Sequence, residues 1–303
     1  MNQTKKAYLA ITMQSIIIGL SFVSVKTALK SADSFNLLAH RFSITLLCAL
    51  LFILFSKNKL NLSLKDFFTI APYSLGFPIF FFLFQTIGLT KISASESGII
   101  YALSPIITFL VAKIFIKEEN NKKQIFFMIL SVLGVIFINL MKGIRFSSSL
   151  LAVILTLISA TSFSVYNVFL RKISKNYKPF QIAFVVIVCG FLFFNIFSLL
   201  EHLKDKNLQN YFVAFKNIDF IVSILFLSVA SSFITILLTT YALSHLQSTT
   251  VSLFQNLSTV VSILSAVVIL NEKLYYFHYA GIIAVILGTI GFTLSKDLSL
   301  IHI

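Results

Sequence analysis

The stretch GIIYALSPIITFLVAKIFIKEE, residues 98–119, decides the fold class of this chain. It is almost wholly apolar, carries Pro105 in its middle and ends on two glutamates. About 20 apolar residues are enough for a helix to cross the roughly 30 Å hydrocarbon core of a bilayer. A membrane helix tolerates an internal proline because neighbouring helices satisfy the backbone groups that the proline releases. The stretch therefore predicts a kinked transmembrane helix.

The rest of the chain is equally apolar: 58% of its 303 residues are hydrophobic and 11% are charged. A soluble domain usually carries about 25% charged residues, so the composition predicts an integral membrane protein. The apolar runs are continuous instead of alternating, which favours helices and excludes a β-barrel. We predict an all-α protein with ten transmembrane helices, at 7–27, 35–55, 67–89, 93–116, 124–141, 149–170, 179–200, 218–241, 248–270 and 277–295.

The net charge of +14 comes from basic residues that lie mainly between the apolar runs. Lysine and arginine in short loops mark the cytoplasmic face, so their positions predict topology and argue against nucleic-acid binding. They favour a multi-pass protein of the cell membrane with both termini in the cytoplasm. The predicted cytoplasmic loops contain Lys57, Lys59, Lys65, Lys117, Lys122, Lys123, Arg171, Lys172, Lys175 and Lys178.

The two cysteines, Cys48 and Cys189, lie inside apolar runs and have no metal-ligand spacing. We therefore predict no metal and no cofactor. The first apolar run follows two lysines, as a signal peptide would, but it lacks a small-residue cleavage site. It is predicted to be an uncleaved first span.

The opening stretch occurs a second time, 154 residues further along the chain, as SLFQNLSTVVSILSAVVILNEK (252–273). Between 86–140 and 240–294, twelve of 55 positions are identical. The identical pairs include Ser104 and Ser258, Glu118 and Glu272, and Gly134 and Gly288. Each copy is the fourth helix of a five-helix unit, so we predict two units, at 7–141 and 149–295. Because five is odd, the second unit enters the membrane from the opposite side, a pattern typical of secondary transporters.

Several segments resemble the drug/metabolite transporter superfamily, in particular its ten-helix EamA type. They are GLSFVSVKTAL (19–29), LLAHRF (37–42), KISASESGIIYALSPIITFLVAKIFIKEE (91–119), SATSFSVYNVFLRKI (159–173) and VILNEK (268–273). The resemblance implies two inverted five-helix halves around a central cavity, and a carrier that moves small organic metabolites, often outward. Protons are a candidate coupling ion, and either a monomer or a homodimer is expected. The chain departs from the family in having no tryptophan.

Polar groups inside a membrane are costly and mark interior cavities, so they are the candidate substrate-binding residues. Pro105 is a candidate for a cavity-lining bend, because its ring clashes with the carbonyl of Tyr101. A solute with amide, hydroxyl or amino-acid-like groups would fit polar side chains from both halves; the alternative is hydrogen bonding that only joins helices. The substrate-binding candidates are Phe22, Tyr101, Ser104, Pro105, Tyr166, Asn167, Gln255, Asn256 and Ser258.

Four ionisable residues lie in the outer third of the predicted bundle and are candidates for an external gate. They are Lys26, His40, Arg41 and Glu96. Glu96 would pair with Arg41 or Lys26 when the gate closes, whereas the alternative is that the long side chains extend to the interface. His40 is a candidate proton switch, or else a solvated histidine at a helix entrance.

Four further residues are predicted to be structural. Glu118 and Glu272 precede the fifth and tenth helices, where a carboxylate meets the positive end of a helix dipole. Gly134 and Gly288 are predicted to allow close packing of helices.

The sequence thus favours a secondary transporter for an amino-acid-like or other zwitterionic or anionic solute, working in efflux by alternating access. An integral membrane enzyme acting on lipids or head groups is the main alternative. It is disfavoured because the predicted spans contain only Glu96 and, at the very start of the eighth, Asp219, whereas such chemistry needs paired carboxylates or a serine with a base. A receptor or structural protein is the other alternative, but it would not account for the repeat.

Overall fold

The computed structural model describes residues 2–55, 60–89, 91, 94–143, 149–204, 208–270 and 273–297. Within these ranges there is no β-strand, and ten helices are long and apolar enough to cross a membrane. The predicted fold class is confirmed, and the bounds of the spans lie within four residues of the prediction. The spans are Gln3–Ala28 (α1), Ser34–Phe55 (α2), Leu64–Gly88 (α3), Glu96–Phe115 (α4), Lys122–Met141 (α5), Leu150–Ile173 (α6), Pro179–Lys204 (α7), Ile218–His245 (α8), Ser248–Val268 (α9) and Tyr276–Ser295 (α10).

The predicted interruption of α4 is present. The helix consists of two regular pieces, Ala94–Ala102 and Ser104–Phe115, which are separated at Leu103. Pro105 lies in the first turn of the second piece, where its missing N–H costs no helical hydrogen bond. The break leaves polar backbone groups in the middle of the span.

Two other spans are irregular. In α3 a 3₁₀ segment at Ala71–Leu75 is followed by a kink within Gly76–Phe80, where the backbone of Phe77 is extended (φ −145°, ψ 128°). Each of these segments contains a proline, Pro72 and Pro78. In α8 a π-helical segment occurs at Val229–Ile234 without any proline. Such π-bulges are frequent at functional sites, and the one in α8 holds the partners of a buried arginine described below.

The most extensive helix pairings are kept when each helix is exchanged with the one five positions away along the chain. The pairs α2/α7 and α5/α10 map onto themselves. The pairs α1/α9 and α1/α8 in turn have the counterparts α6/α4 and α6/α3. A two-fold relation between the two halves of the chain would produce this pattern.

Hydrogen bonds define one end of the bundle, which we call the terminus-bearing end. Tyr241 in the last turns of α8 donates its hydroxyl proton to Gln3 Oε1 at the start of α1 (2.8 Å). Asn121, next to the start of α5, donates its Nδ2–H to the carbonyl of Ser295 at the end of α10 (2.9 Å). The first and last spans therefore begin and end on the same face.

The other end, which we call the opposite end, is joined in a similar way. Asn217, before α8, donates its Nδ2–H to Ser31 Oγ after α1 (3.0 Å). Asn36 in the first turn of α2 lies 3.3 Å from His202 in the last turn of α7. With both ends of the bundle defined, each polar group of the candidate site can be located along the bundle axis.

The glycines predicted to allow close packing, Gly134 and Gly288, lie where α5 meets α10. A Cβ atom on Gly288 would come within 2.6 Å of Phe127 O and of Ser131 N. A Cβ atom on Gly134 would come within 2.9 Å of the carbonyl of Gly281. Backbone atoms cannot withdraw as a flexible side chain can, so only glycine permits this contact.

Candidate functional site

The carboxylate of Glu118, just after α4, caps the start of α9. It accepts hydrogen bonds from the backbone N–H groups of Ser248 (2.8 Å) and Thr249 (3.2 Å). It also accepts from the hydroxyls of both residues, at 2.9 and 3.0 Å. Glu118 is buried, and a carboxylate at a helix N-terminus is stabilised both by these donors and by the helix dipole.

Arg171, in the last turn of α6, joins the same cluster. Its Nε atom lies 3.0 Å from Glu118 Oε1. Its Nη1–H groups donate to the carbonyls of Leu243 (3.1 Å) and Leu246 at the end of α8. One ion pair thus connects the ends of four helices, α4, α6, α8 and α9, at the terminus-bearing end. We call Glu118, Arg171, Ser248 and Thr249 the end cluster.

This arrangement corrects the prediction that Glu118 caps the fifth helix. Asn121 caps α5 instead: its side chain accepts from the N–H of Gln124 (2.8 Å), whose side chain accepts from Asn121 N (3.0 Å). Glu118 lies close to α5 in the sequence, but its carboxylate turns towards α9, where it finds four donors and a cation. Glu272, the equivalent glutamate in the repeat, lies outside the described residues.

Polar contacts continue from the end cluster towards the middle of the bundle. Thr108 of α4 donates to Ser252 Oγ of α9 (3.0 Å). Ser164 of α6 donates to the carbonyl of Ser104 of α4 (3.2 Å), next to the break in that helix. These contacts join the helices that the end cluster also joins.

The polar contacts extend to α3 through Tyr101, which the sequence predicted to be a substrate-binding residue. The hydroxyl of Tyr101 on α4 lies 3.0 Å from Ser159 Oγ on α6. Ser159 donates to the carbonyl of Phe81 on α3 (2.7 Å). Tyr166, on the same helix as Ser159, is buried in an aromatic group with Phe77, whose ring centre is 5.3 Å away.

Two buried amides beside this polar region have unsatisfied groups. Asn167 on α6 has no exposed surface, and neither its Nδ2 nor its Oδ1 has a hydrogen-bond partner in the part of the chain that the structure describes. Gln255 on α9 has a buried Nε2 without a partner there. Leaving a buried polar group unpaired costs about 1–3 kcal/mol, so such groups are candidates to bind a polar ligand.

The other two candidates on α9 point elsewhere. Asn256 donates its Nδ2–H to Ser131 Oγ on α5 (3.2 Å). Ser258 donates to the carbonyl of Gln255 in its own helix (2.6 Å). Asn256 therefore joins α9 to α5, and it is withdrawn from the predicted substrate site.

The face of α1 that carries Phe22 packs against α9 near the terminus-bearing end and is exposed towards the opposite end. Near the terminus-bearing end, Ser15 donates to the carbonyl of Phe254 on α9 (2.8 Å). One turn later, a Cβ atom on Gly19 would lie 2.5 Å from Val261 Cβ. On the same face, Phe22 is 55% exposed and Lys26 is exposed. The contact of this face with α9 thus gives way to open surface towards the opposite end.

Of the residues predicted to form an external gate, Arg41 has the most contacts in the structure, and the pairing predicted for a closed gate stays a prediction. Arg41 binds the π-helical segment of α8: its Nε–H donates to Ser232 Oγ (2.6 Å) and its Nη2–H groups donate to Ser231 O (3.0 Å) and Oγ (3.1 Å). The guanidinium also lies 5.6 Å from the centre of the Phe82 ring. The described contacts of Arg41 are therefore with α8 and with Phe82 of α3, whereas Glu96 is buried in the first turn of α4.

His40 is buried and does not lie at a solvated entrance, as the alternative interpretation expected. Its Nε2 lies 2.8 Å from the carbonyl of Tyr211, and the Phe215 ring packs edge-on at 4.8 Å. Burial raises the pKa of the Tyr211 phenol. The phenol therefore keeps its proton and donates it to Asn195 Oδ1 (2.7 Å). The loop before α8 thereby covers this histidine.

Among the described residues there is no group of three His, Cys, Asp or Glu side chains that could hold a metal ion. What the structure does contain is a bundle of ten apolar helices with buried polar groups and a buried ion pair inside it. This arrangement defines a multi-pass membrane protein. Its family and its relatives show that it is a membrane transporter. The chain belongs to the EamA-like transporter family, whose profile matches residues 5–140 and again 150–294.

Relatives with similar sequences carry the same general description. The chain is 39% identical, over 98% of its length and 95% of the relative's, to the "Uncharacterized transporter YcxC" of Bacillus subtilis (strain 168). It is 25% identical, over 95% of its length and 96% of the relative's, to an "Uncharacterized transporter" of Archaeoglobus fulgidus. One solved crystal structure, 15% identical, matches 97% of this chain and 99% of its own with a TM-score of 0.78, which shows the same fold.

Proposed function

We propose that the protein is a secondary active transporter that moves a small organic solute by alternating access between two inverted five-helix halves, 7–141 and 149–295. Two findings support the inverted halves. The family profile matches the chain twice, and the most extensive helix pairings are kept when the two halves are exchanged. Inverted repeats of this kind place a substrate site near the middle of the membrane.

The observation that carries the proposal is the difference between the two ends of the bundle. The end cluster ties α4, α6, α8 and α9 together at the terminus-bearing end. Towards the opposite end, α1 leaves α9 and Phe22 is exposed, although other hydrogen bonds join helix ends there. We infer that the closed terminus-bearing end represents one of the two states that alternating access requires.

The distribution of basic residues supports a cytoplasmic location for the closed end. Lys117, Lys122, Lys123, Arg171 and Lys172 all lie at the terminus-bearing end of their helices, and basic residues favour the cytoplasmic side. We therefore propose that the structure represents an outward-facing carrier of the cell membrane, with both termini inside.

We propose that the solute binds between α4 and α6, at Tyr101, Ser104 and Asn167, with Gln255 from α9 and Tyr166 completing the site. Asn167 has both a donor and an acceptor to offer, which suits a zwitterionic or anionic solute such as an amino acid. Pro105 supports the site by breaking α4 at this depth. We also propose that the protein transports its solute out of the cell and that this transport is coupled to protons.

Counterflow in proteoliposomes tests the proposed function. Vesicles are loaded with an unlabelled mixture of amino acids and small carboxylates, and uptake of each labelled compound is followed. We expect saturable, stimulated uptake of at least one zwitterionic or anionic compound, compared with protein-free vesicles. Equal uptake with and without the protein for every compound, or a gradient-independent leak, would contradict the proposal.

A further inference from the structure

An open groove lies between α5 and α10 at the terminus-bearing end of the bundle. It has a volume of about 600 Å³ and lies where α5 begins and α10 ends. None of its lining residues belongs to the proposed substrate site, to the predicted gate or to the end cluster. They are Lys122, Lys123, Phe126, Phe127, Gly291, Leu294 and Ser295.

The floor and the walls of the groove are apolar. The Phe127 ring lies directly against Gly291, because a Cβ atom at position 291 would overlap the ring. Phe126 on α5 and Leu294 on α10 form the walls, and they are 62% and 58% exposed. Both lie within membrane spans, so the groove presents an exposed apolar surface to the surrounding lipid.

Two lysines give the groove a positive end. Lys122 and Lys123 are the first two residues of α5, so they lie at the membrane–water boundary, whereas Phe126 lies one turn deeper. Both lysines are exposed, and neither forms an ion pair with a carboxylate that the structure describes. Lys296 and Asp297, which follow the groove in the sequence, cancel each other in charge. The groove is therefore positive at the boundary and apolar below it.

We propose that this groove binds an anionic phospholipid, with the phosphate on the two lysines and one acyl chain along Phe126, Phe127 and Leu294. A phospholipid carries its negative head group and its apolar chain in the same order along the membrane normal. Lysine ammonium groups bind phosphate as point charges, and basic pockets between membrane helices suit anionic head groups. The site is on the outside of the bundle, and it does not depend on the proposed transport function.

Two other occupants match the groove less well. A second copy of the chain, packed across the groove by a two-fold axis, would bring Lys122 and Lys123 of both copies together, and like charges repel. A free phosphate ion would leave the apolar walls uncovered. A molecule with an anionic head group and an apolar chain matches both parts of the groove.

Native mass spectrometry of the delipidated full-length protein tests the site. The protein is titrated with phosphatidylglycerol and, separately, with phosphatidylcholine that has the same acyl chains, and the dissociation constant of the first bound lipid is measured. We expect phosphatidylglycerol to bind at least about fivefold more tightly, because the choline group offsets the charge of the phosphate. We expect Lys122→Gln combined with Lys123→Gln to weaken phosphatidylglycerol binding at least about fivefold, and Phe126→Ala to weaken it at least about threefold.

Each variant has a matched control. Lys172→Gln combined with Lys175→Gln removes two exposed lysines at the same end of the bundle that do not line the groove. Phe137→Ala shortens an exposed phenylalanine of α5 that lies outside the groove. Both controls should bind phosphatidylglycerol as the wild type does. Size-exclusion elution and thermal unfolding verify the fold of each variant, and the comparison of the two lipids on the wild type needs no variant.

Equal binding of the two lipids by the wild type, or unchanged binding in the double lysine variant of the groove, would overturn the proposal. Displacement of the lipid by an equal concentration of glycerol 1-phosphate would also overturn it, because that compound carries the phosphate without an acyl chain. A dimer that persists in excess lipid and is lost in Phe126→Ala would assign the groove to a second copy of the chain instead.

Discussion

Glu118→Gln is expected to open the terminus-bearing end, so that a cysteine at Ser252 reacts at least about tenfold faster with a membrane-impermeant maleimide. The substitution removes the charge that Arg171 pairs with and weakens the cap of α9. Hydrogen bonds to charged groups contribute about 1.5–3 kcal/mol each, and about 1.4 kcal/mol changes an equilibrium tenfold. The reaction is followed in inside-out vesicles on protein whose Cys48 and Cys189 are replaced by serine.

Two further variants separate loss of the end cluster from a general loss of structure. Glu119→Gln changes the adjacent, exposed glutamate and should leave the rate of maleimide modification at its wild-type value. Arg171→Gln combined with Glu118→Gln removes both charges, and we expect it to restore part of the protection, because an unpaired buried charge is worse than none. An unchanged rate in Glu118→Gln would show that the cluster does not hold this end closed.

Asn167→Leu is expected to abolish transport while making the protein more stable. The unpaired amide on α6 costs folding free energy, so a leucine of similar size should raise stability by about 1–3 kcal/mol. The same substitution removes the donor and acceptor that we assign to the solute, and counterflow should fall at least about tenfold. Thermal unfolding and initial counterflow rates measure the two effects on one preparation.

The matched control is Asn195→Leu, which replaces a half-buried amide whose donors and acceptor are all hydrogen-bonded. Asn195 donates to the carbonyls of Ala39 (3.3 Å) and Phe191 (2.9 Å) and accepts from Tyr211 (2.7 Å). Its replacement should lower the unfolding temperature, opposite to Asn167→Leu. If Asn167→Leu instead lowered stability and left counterflow unchanged, Asn167 would be a packing residue and the proposed site would be wrong.

Helix number and position were predictable because each span is a continuous apolar run whose length is set by the membrane. The break in α4 was predictable because Pro105 removes a donor wherever it stands. The π-helical segment of α8 was missed, since Val229–Ile234 contains no proline and carries no comparable signal. The partners of Arg41, Ser231 and Ser232, lie in that segment and were missed with it.

The directions of side chains around a helix were the second feature that could not be predicted from the sequence. Gln255 and Asn256 are neighbours, about 100° apart around their helix, so one can face the interior while the other faces α5. The sequence does not fix that rotation, which is why Asn256 was assigned wrongly. The start of α9 carries a capping signature in Ser248 and Thr249, but only the packing of α9 on α4 brings Glu118 to it.

The account depends most on the inverted arrangement of the two halves, and labelling of two equivalent positions tests it directly. Glu119 and Lys273 are related by the repeat of 154 residues. In protein without native cysteines, Glu119→Cys should react with an impermeant maleimide in inside-out vesicles only, and Lys273→Cys in right-side-out vesicles only. Reaction of both positions from the same face would contradict the inverted repeat and the carrier built on it.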